Sequence, residues 1–354
     1  MCKRVPSCFS ELAEYNAANR GRDPRRLLCS PAMRIVFMGS PEFALPSLRG
    51  LVESEHEVVG VFTQPDRPAG RGRRLAPPPV KALALEYGIP VFQPKSISRP
   101  DGVDRLRALG PDIGVIAAYG QILRQPVLDV PLLGILNVHA SLLPRWRGAA
   151  PIPAAILAGD AETGATIMKV VLALDAGPML GSVRVPITDA DTTATLTPRV
   201  AEAGADLLLD VLPRYTNGDL TPVAQDDALA SYAPQLKKED GRIDWANETA
   251  EHIARKVRAY NPWPMAYTAL DGAPLRILEA LALANNTTGW SPPPGTVDAR
   301  ASVVMDEGLL RVGFVVKAAG GWLGVQTVQS AGKPATSAEA FLRGRRHLLG
   351  KRLT

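Results

Sequence analysis

From Met33 onward, short apolar runs alternate with stretches that have a helical spacing of apolar residues. The runs have the length and the Val and Ile content of buried strands. They span residues 33–38, 57–63, 112–118, 134–139 and 165–171. Strands separated by helical patterns predict an α/β fold with a doubly wound, mostly parallel sheet and right-handed crossovers. The layout is Rossmann-like, but no G-x-G-x-x-G motif follows the first strand, so we do not infer NAD binding.

The turn after the first strand carries a helix-start signal. Ser40 is predicted to be an N-cap residue, with Pro41 at the first helical position. A helical pattern from about Thr192 to Leu212 then closes this domain. The polar, proline-bearing segment 213–234 is predicted to be a linker.

The pattern changes beyond the linker, in residues 235–354. A helix is predicted over residues 247–260, and Asn261-Pro-Trp-Pro-Met265 ends it abruptly. Short apolar runs then alternate with glycine-rich turns, which suits a small β-barrel. We therefore predict a catalytic domain over 33–212 and a separate C-terminal barrel domain over 235–354.

Residues 1–32 show no periodicity and contain all three cysteines of the chain, Cys2, Cys8 and Cys29. We expect an unstructured extension that results from a start assigned upstream of the true one at Met33. A mitochondrial transit peptide is the alternative, because four arginines lie between residues 20 and 26. Three acidic residues in the same segment disfavour it, since transit peptides are poor in acidic residues.

Composition places the chain among cytoplasmic, two-domain proteins without a membrane segment. A length of 354 residues exceeds one average core, and no run of 18 apolar residues occurs. The three cysteines form no disulfide framework, and the four histidines lack a metal-ligand spacing. Residues 235–354 hold 16 Lys and Arg against 11 Asp and Glu, a net charge of +5. This basic C-terminal part suits a polyanionic partner, although a solvated surface would look similar.

Polar side chains at the end of the fourth apolar run are the first candidates for chemistry. Asn137 and His139 lie two residues apart, so a strand places them on the same face. In open α/β sheets, ligands bind beyond the carboxyl ends of the strands. An Asn amide can donate to a developing oxyanion, and a His can donate or carry a proton. The alternative is a pair that only satisfies a loop.

The residues that follow extend this pair to a longer motif. Asn137-Val-His-Ala-Ser-Leu-Leu-Pro144, followed by Arg145-Trp-Arg-Gly148, resembles the signature of the folate-dependent formyltransferases. The longer run as far as Ile152 resembles the branch of the family that acts on aminoacylated tRNA. The resemblance extends from Met33 to about Arg346. It implies that the formyl group of 10-formyltetrahydrofolate is transferred to the amino group of methionine on initiator tRNA, without a metal.

The resemblance also implies a set of site residues. Asp175 would complete the catalytic group with Asn137 and His139; from the sequence alone it could equally be a turn aspartate. We expect it at the same sheet edge, because it follows a strand. Pro178 departs from the family, which usually has an acidic residue there. The implied folate-binding residues are Gly120, Ile122, Leu123, Ser141, Leu142, Leu143 and Pro144, and Phe43 is a candidate for the methionine pocket. Ile122, Leu123 and Phe43 could instead be core residues.

A long segment between Gln64 and Lys81 is rich in proline, glycine and arginine. We predict a loop without structure of its own, and such loops are usually functional or disordered. The resemblance implies that it contacts the acceptor arm of tRNA, because arginine binds phosphate oxygens in pairs. The residues concerned are Arg67, Arg71, Arg73 and Arg74. A merely solvated basic loop is the alternative.

Two other functions remain open at this stage. A formyltransferase that acts on a nucleotide sugar or glycinamide ribonucleotide would share the catalytic domain, but the arginine-rich loop and the barrel domain argue against it. The other is a tRNA-binding protein with a relic site, and the intact Asn137, His139 and Asp175 argue against it. We expect a monomer.

Overall fold

The computed structural model describes residues 32–69, 74–283, 292–298, 302–305 and 308–354. The predicted N-terminal extension therefore lies outside the described residues, apart from its last position. No helix in the described ranges is long and apolar enough to cross a membrane.

The N-terminal domain alternates strands and helices as predicted. Its strands are β1 (Arg34–Gly39), β2 (Glu57–Phe62), β3 (Arg67–Ala69), β4 (Arg74–Ala76), β5 (Val91–Phe92), β6 (Ile113–Ala117), β7 (Ile135–His139), β8 (Arg147–Gly148), β9 (Glu162–Lys169) and β10 (Met179–Pro186). Its helices are α1 (Leu45–Glu53), α2 (Pro79–Glu86), α3 (Pro100–Leu109), α4 (Gln125–Leu128), α5 (Pro151–Ala158) and α6 (Thr193–Thr216).

The main sheet is mixed, with strand order β10-β9-β7-β6-β1-β2-β5. The strands from β7 to β5 in this order are parallel to one another. β9 runs antiparallel to β7, and β10 antiparallel to β9. The α/β class predicted from the sequence is confirmed in this coarser form, with an antiparallel pair at one edge.

Both faces of the sheet are covered, as continuous apolar strands require. Ile35 and Phe37 of β1 pack into the core beneath α1 and α6, while Val36 and Met38 face α3 and α4. The helix predicted near Thr192 begins there, since the Thr192 hydroxyl accepts a hydrogen bond from the backbone N–H of Thr195. It continues past Leu212 to Thr216, which shortens the predicted linker.

The prediction that Ser40 caps a helix is wrong. The first helical turn runs from Glu42 to Ala44, and no side chain caps it. The Ser40 hydroxyl instead donates to the carbonyl of Tyr119 and accepts from the backbone N–H of Gln64. It therefore ties together the turns that follow β1, β2 and β6 at the carboxyl edge of the sheet.

The C-terminal domain is a separate, β-rich unit. A short strand of the connecting segment, β11 (Tyr232–Ala233), precedes it. Its strands are β12 (Tyr267–Leu270), β13 (Ala273–Leu283), β14 (Val297–Asp298), β15 (Ser302–Met305), β16 (Gly308–Arg311), β17 (Phe314–Ala318), β18 (Gly321–Ser330) and β19 (Thr336–Ser337). Its helices are α7 (Ala250–Ala259), which lies within the predicted range 247–260, and α8 (Ala338–Arg343).

The main C-terminal sheet has the order β12-β13-β18-β17-β14, with β19 beside β18. The last residues of the chain bridge its two ends. On one side, the backbone of Leu353 donates to Gly295 beside β14. On the other, Thr354 and Ala269 of β12 exchange backbone hydrogen bonds of 2.6 and 3.0 Å. The C-terminal residues thereby connect the two edges of this sheet through main-chain hydrogen bonds.

Helix α7 joins the two domains. Ile253 and Val257 pack into the C-terminal core, whereas Ala259 packs into the catalytic core. Arg258 extends from the same helix and donates to the carbonyl of Asp191, at 3.1 Å, just before α6. Because one helix contributes to both cores, the domains are packed against each other and not merely linked.

Candidate active site

His139 ends β7 and is only 5% exposed. Its Nε2 lies 2.9 Å from the carbonyl oxygen of Trp146. A carbonyl oxygen only accepts hydrogen bonds, so Nε2 carries a hydrogen. The other ring nitrogen, Nδ1, faces Asp175 at 3.8 Å from Oδ2. The ring is thus held from the Nε2 side, and Nδ1 is the atom left for chemistry.

Asn137 lies two residues before His139, on the same face of β7. It is half-buried, and its side-chain amide makes no hydrogen bond to another residue in the described part of the chain. An amide at the rim of a core normally finds a partner. Its two donors are therefore free to meet a ligand.

Asp175 reaches His139, but the reason predicted from the sequence is wrong. β9 is antiparallel to β7, so its last residue, Lys169, pairs with Leu136 near the start of β7. The end of β9 therefore lies at the opposite edge from His139. The loop 170–178 folds back over the sheet face, with Asp175 at φ +47°, and brings the carboxylate to the ring.

The motif loop after His139 holds this carboxylate from the other side. The backbone N–H of Gly148 donates to Asp175 Oδ2 at 2.8 Å. Gly148 has φ +117°, and a Cβ there would lie 2.6 Å from the carbonyl oxygen of Ala233. The last glycine of the motif is therefore required by the close pairing of β8 with β11.

The carbonyl that receives His139 belongs to an unusual residue, because Trp146 has φ +61°. Its indole N–H donates to Asp160 at 2.8 Å, and the same carboxylate binds Arg145 through two hydrogen bonds of 2.9 and 2.6 Å. The Arg145 guanidinium also lies 4.4 Å from the centre of the indole ring. Asp160 thus anchors both side chains, and the Trp146 carbonyl stays turned towards His139.

The connecting segment contributes side chains that sequence reasoning missed. Gln225 donates to the carbonyls of Asp175 and Gly177, at 2.8 and 2.7 Å, and accepts from Arg147 Nε at 3.0 Å. Ser231 accepts from the backbone N–H of Trp146. No local signal in the sequence could have identified Gln225, which lies in a polar stretch 50 residues from Asp175. Residues 217–234 are therefore part of the site and not only a spacer.

The predicted folate-binding residues lie in the loops after β6 and β7, which are parallel neighbours. Gly120 has φ +78°, and Ile122 is 83% exposed, which is unusual for an isoleucine. Leu123 is buried in the core beside Val127. In the second loop, Ser141 and Leu143 are buried, while Leu142 and Pro144 are half-buried. Of the residues after β6, Ile122 therefore has an exposed side chain, whereas Leu123 is a core residue.

The predicted arginine-rich loop is more structured than expected. β3 and β4 form an antiparallel hairpin, and α2 already begins at Pro79, so Lys81 is helical. Lys81 binds Asp66 with an N–O distance of 2.8 Å. Arg67 is exposed and donates to Gln64. Arg71 and Arg73 lie outside the described residues, and only the backbone of Arg74, in β4, is described.

The structure also places Phe43, the candidate for the methionine pocket. Phe43 is 9% exposed and packs in the core with Leu48, which favours its reading as a core residue. No cluster of potential metal ligands occurs among residues that the structure describes.

Comparison with known proteins identifies the family. The family model described as formyl transferase matches residues 33–212, and the one described as formyl transferase, C-terminal domain, matches 235–346. The chain is 49% identical, over 324 residues, to the methionyl-tRNA formyltransferase of Methylococcus capsulatus, covering 91% of this chain and 99% of the relative. The corresponding protein of Thiobacillus denitrificans is 50% identical over 321 residues, with the same two coverages.

A solved structure shares the fold at low sequence identity. It is the N-formyltransferase from Helicobacter canadensis in complex with folinic acid and dTDP-3-aminofucose. The two chains are 16% identical with a TM-score of 0.60, covering 84% of this chain and 99% of the other. Together with the matched family models and the two relatives, this confirms the resemblance in the motif after β7: the chain belongs to the formyl transferase family.

Proposed function

We propose that this enzyme transfers the formyl group of 10-formyltetrahydrofolate to the α-amino group of methionyl-initiator tRNA. The observation that carries the chemistry is the approach of half-buried Asp175 to buried His139, with the free amide of Asn137 on the same strand face as His139. The relatives at 49 and 50% identity, matched over nearly their full length, bear the name methionyl-tRNA formyltransferase.

The reaction begins when the methionine amine attacks the formyl carbon. A nitrogen–carbon bond forms, and the formyl oxygen becomes an oxyanion. Asn137 donates to this oxygen from its unoccupied amide, and His139 donates to it from Nδ1 when that nitrogen also carries a hydrogen. Such a donor is worth about 10²–10³ in rate.

The collapse of this intermediate needs one proton to move. The carbon–N10 bond of the folate breaks, the attacking amine loses a proton, and N10 gains one. Asp175 is suited to carry it, because Oδ2 is held by Gly148 while Oδ1 makes no hydrogen bond in the described part of the chain. Proton transfer by a positioned group contributes about 10²–10⁴. The products are a formamide on the tRNA and tetrahydrofolate.

The folate is proposed to lie across the loops after β6 and β7. The side chain of Ile122 is exposed there, and the backbone of Gly120 is open, since only Gln64 Nε2, at 3.6 Å, would touch a Cβ. Leu142 and Pro144 would line the other side. A folate donor is supported by the folinic acid bound in the Helicobacter canadensis relative, which has the same fold.

The tRNA is proposed to contact both domains. The β3–β4 hairpin would present Arg67, Arg71, Arg73 and Arg74 to the acceptor arm. The C-terminal domain is proposed to be OB-like, because its strand order closes through the last residues of the chain, and such barrels bind nucleic acids on one face. The enzyme would act as a cytoplasmic monomer.

Formylation of charged initiator tRNA with labelled 10-formyltetrahydrofolate tests this function. The purified chain should transfer label to methionyl-initiator tRNA and not to a dTDP-aminosugar offered as competing acceptor. Transfer to the sugar alone would overturn the proposed acceptor. If a folded protein that binds both substrates formylates neither acceptor, the result would favour a tRNA-binding protein with a relic site.

A further inference from the structure

A ring of hydrogen bonds links Asp175 to the connecting segment, residues 217–234, which is called the interdomain segment below. Asp175 Oδ2 accepts from the N–H of Gly148, and the Asp175 carbonyl accepts from Gln225. The Gln225 oxygen in turn accepts from Arg147, which adjoins Gly148. The second donor of the Gln225 amide goes to Gly177, on the far side of Asp175. One glutamine thus connects the two loops that approach His139.

Every hydrogen bond of this ring that involves Arg147 or Gln225 is made to another group of the protein, with Arg147 buried and Gln225 half-buried. Arg147 is 3% exposed, and its charge is balanced by Asp227 at 2.7 Å. Both N–H groups of the Gln225 amide are occupied, so the orientation of the amide is set by its partners. Hydrogen bonds that link several half-buried groups in this way restrict how far any one of them can move.

The loop that carries Asp175 needs such support. It folds back from the end of β9, and Asp175 has φ +47°, in the left-handed region that residues other than glycine rarely adopt. The preceding side chains are little packed, since Leu172 and Leu174 are 63 and 61% exposed. The loop therefore gains little from burial, and its hydrogen bonds to Gly148 and Gln225 decide where the carboxylate lies.

We propose that Gln225 is a positioning residue for the reaction, and that the docked interdomain segment sets the place of the Asp175 carboxylate. This inference rests on the proposed catalytic role of Asp175. Gln225 touches neither substrate in this scheme and acts through the backbone of residues 175–177. It follows that the segment between the domains affects turnover directly, beyond joining the catalytic domain to the barrel.

The test is Gln225→Glu in the full-length chain. The substitution keeps the shape but opposes carboxylate oxygens to the carbonyls of Asp175 and Gly177, while the bond from Arg147 is retained. We expect kcat to fall by about 10- to 100-fold, since a displacement of about 1 Å can have that effect. The KM values for methionyl-tRNA and for the folate should stay within about twofold. Gln235→Glu is the matched control, because Gln235 is exposed and should behave as wild type.

A merely structural role predicts a different result. If the segment only spaced the domains, Gln225→Glu would raise the KM for tRNA and leave kcat intact, which would overturn the proposal. Unchanged kinetics would overturn it as well. A second measurement follows the His139 ring by ¹⁵N NMR, where the Nδ1 signal should shift in Gln225→Glu and not in Gln235→Glu.

Two further variants keep the outcomes separate. Should Gln225→Glu fold poorly, Gln225→Met keeps a similar volume without donors and should show the same loss of kcat. Asp175→Asn is measured in parallel. An active Asp175→Asn would remove the proposed catalytic role itself. If Asp175→Asn is inactive while Gln225→Glu or Gln225→Met is fully active, the catalytic role of Asp175 is retained. The positioning role proposed for Gln225 is then rejected.

Discussion

At the scale of single residues, the site depends on which polar groups are occupied. Nε2 of His139 is hydrogen-bonded to the carbonyl of Trp146, so Nδ1 is the ring nitrogen that remains for the proposed chemistry. The side-chain amide of Asn137, two residues earlier, donates no hydrogen bond to a group in the described part of the chain. An amide held free on a rigid strand is pre-organised, and donors of this kind need no reorganisation when charge develops.

Asn137→Ala tests this directly. The variant should lower kcat by about 10²–10³ because it removes a donor to the oxyanion. Its melting temperature should stay close to that of wild type, since no hydrogen bond to a described residue is lost. Steady-state formylation kinetics and a thermal scan are the measurements. A folded variant with a near-normal kcat would exclude Asn137 from the mechanism.

Asp191 offers a prediction about pH. Burial would raise the pKa of Asp191, but hydrogen bonds from the Thr188 backbone, Arg199, the Thr188 hydroxyl and Thr195 outweigh it and lower the pKa to about 2. A carboxylate with a lowered pKa stabilises the fold above its ordinary value of 3.8, and this contribution disappears as the pH falls from about 4 to about 2.

Asp191→Asn should therefore destabilise the protein in a pH-dependent way. The pH-dependent part of the loss in unfolding free energy should be greatest above pH 4, at most about 2 kcal/mol, and should shrink towards pH 2. Urea unfolding of wild type and variant across this range is the measurement. A difference that stays constant with pH would show that the charge of Asp191 contributes nothing.

At the scale of secondary-structure elements, short strands connect the motif to the rest of the molecule. β8 is two residues long, yet its pairing with β11 anchors the interdomain segment beside the active site. Gly148 is the point of closest approach, because no side chain fits between it and the Ala233 carbonyl. The backbone N–H of Gly148 also donates to Asp175, so this glycine is needed both for the close strand pairing and for holding the proposed catalytic carboxylate.

Gly148→Ala should damage both stability and activity. Its Cβ would meet the Ala233 oxygen at 2.6 Å, so β8 and β11 must separate and the N–H must move away from Asp175. The matched control is Gly218→Ala, at φ +79° with nothing within 4 Å of the new Cβ. The control should lose only about 1 kcal/mol from its backbone conformation and keep full activity. Equal behaviour of the two variants in thermal and kinetic assays would contradict the argument.

At the scale of the whole molecule, the proposed tRNA would have to contact two domains that are fixed to each other. Helix α7 packs into both cores, so the catalytic domain and the C-terminal domain are held in a set relation. The C-terminal 120 residues carry a net charge of +5, and the hairpin adds its arginines. A polyanion as long as a tRNA acceptor arm can use both surfaces, whereas a nucleotide sugar is too short.

Binding of tRNA should accordingly weaken steeply with salt, because phosphate contacts release counterions. Replacing Arg71, Arg73 and Arg74 together by Ala should weaken binding and reduce the slope of log K against log salt by up to about 3. Folate binding should not change, which serves as the control. Filter binding at several salt concentrations is the measurement. An affinity that does not depend on salt, or an unchanged slope in the triple variant, would contradict phosphate binding by these arginines. The hairpin would then be only a solvated surface.

Local patterns determined much of this protein without any structure. Apolar runs such as Ile135–His139 specified the strands, because buried parallel strands need continuous hydrophobic side chains. The alternation along a strand placed Asn137 and His139 on one face. The contiguous motif from Asn137 to Gly148 identified the family, since its chemically active groups and its close-packed glycine stand next to one another in the chain.

Tertiary structure alone decided what brings the distant groups together. The approach of Asp175 depends on an antiparallel β9 and a loop that folds back, and strand direction leaves no mark in an apolar run. The place of Gln225 depends on the docking of a polar segment, whose hydrogen bonds have no periodicity. Hydrophobic burial produces a repeating pattern of apolar residues that can be recognised in the sequence. A long-range hydrogen bond joins a single pair of atoms, produces no such pattern, and forms only once the chain has folded.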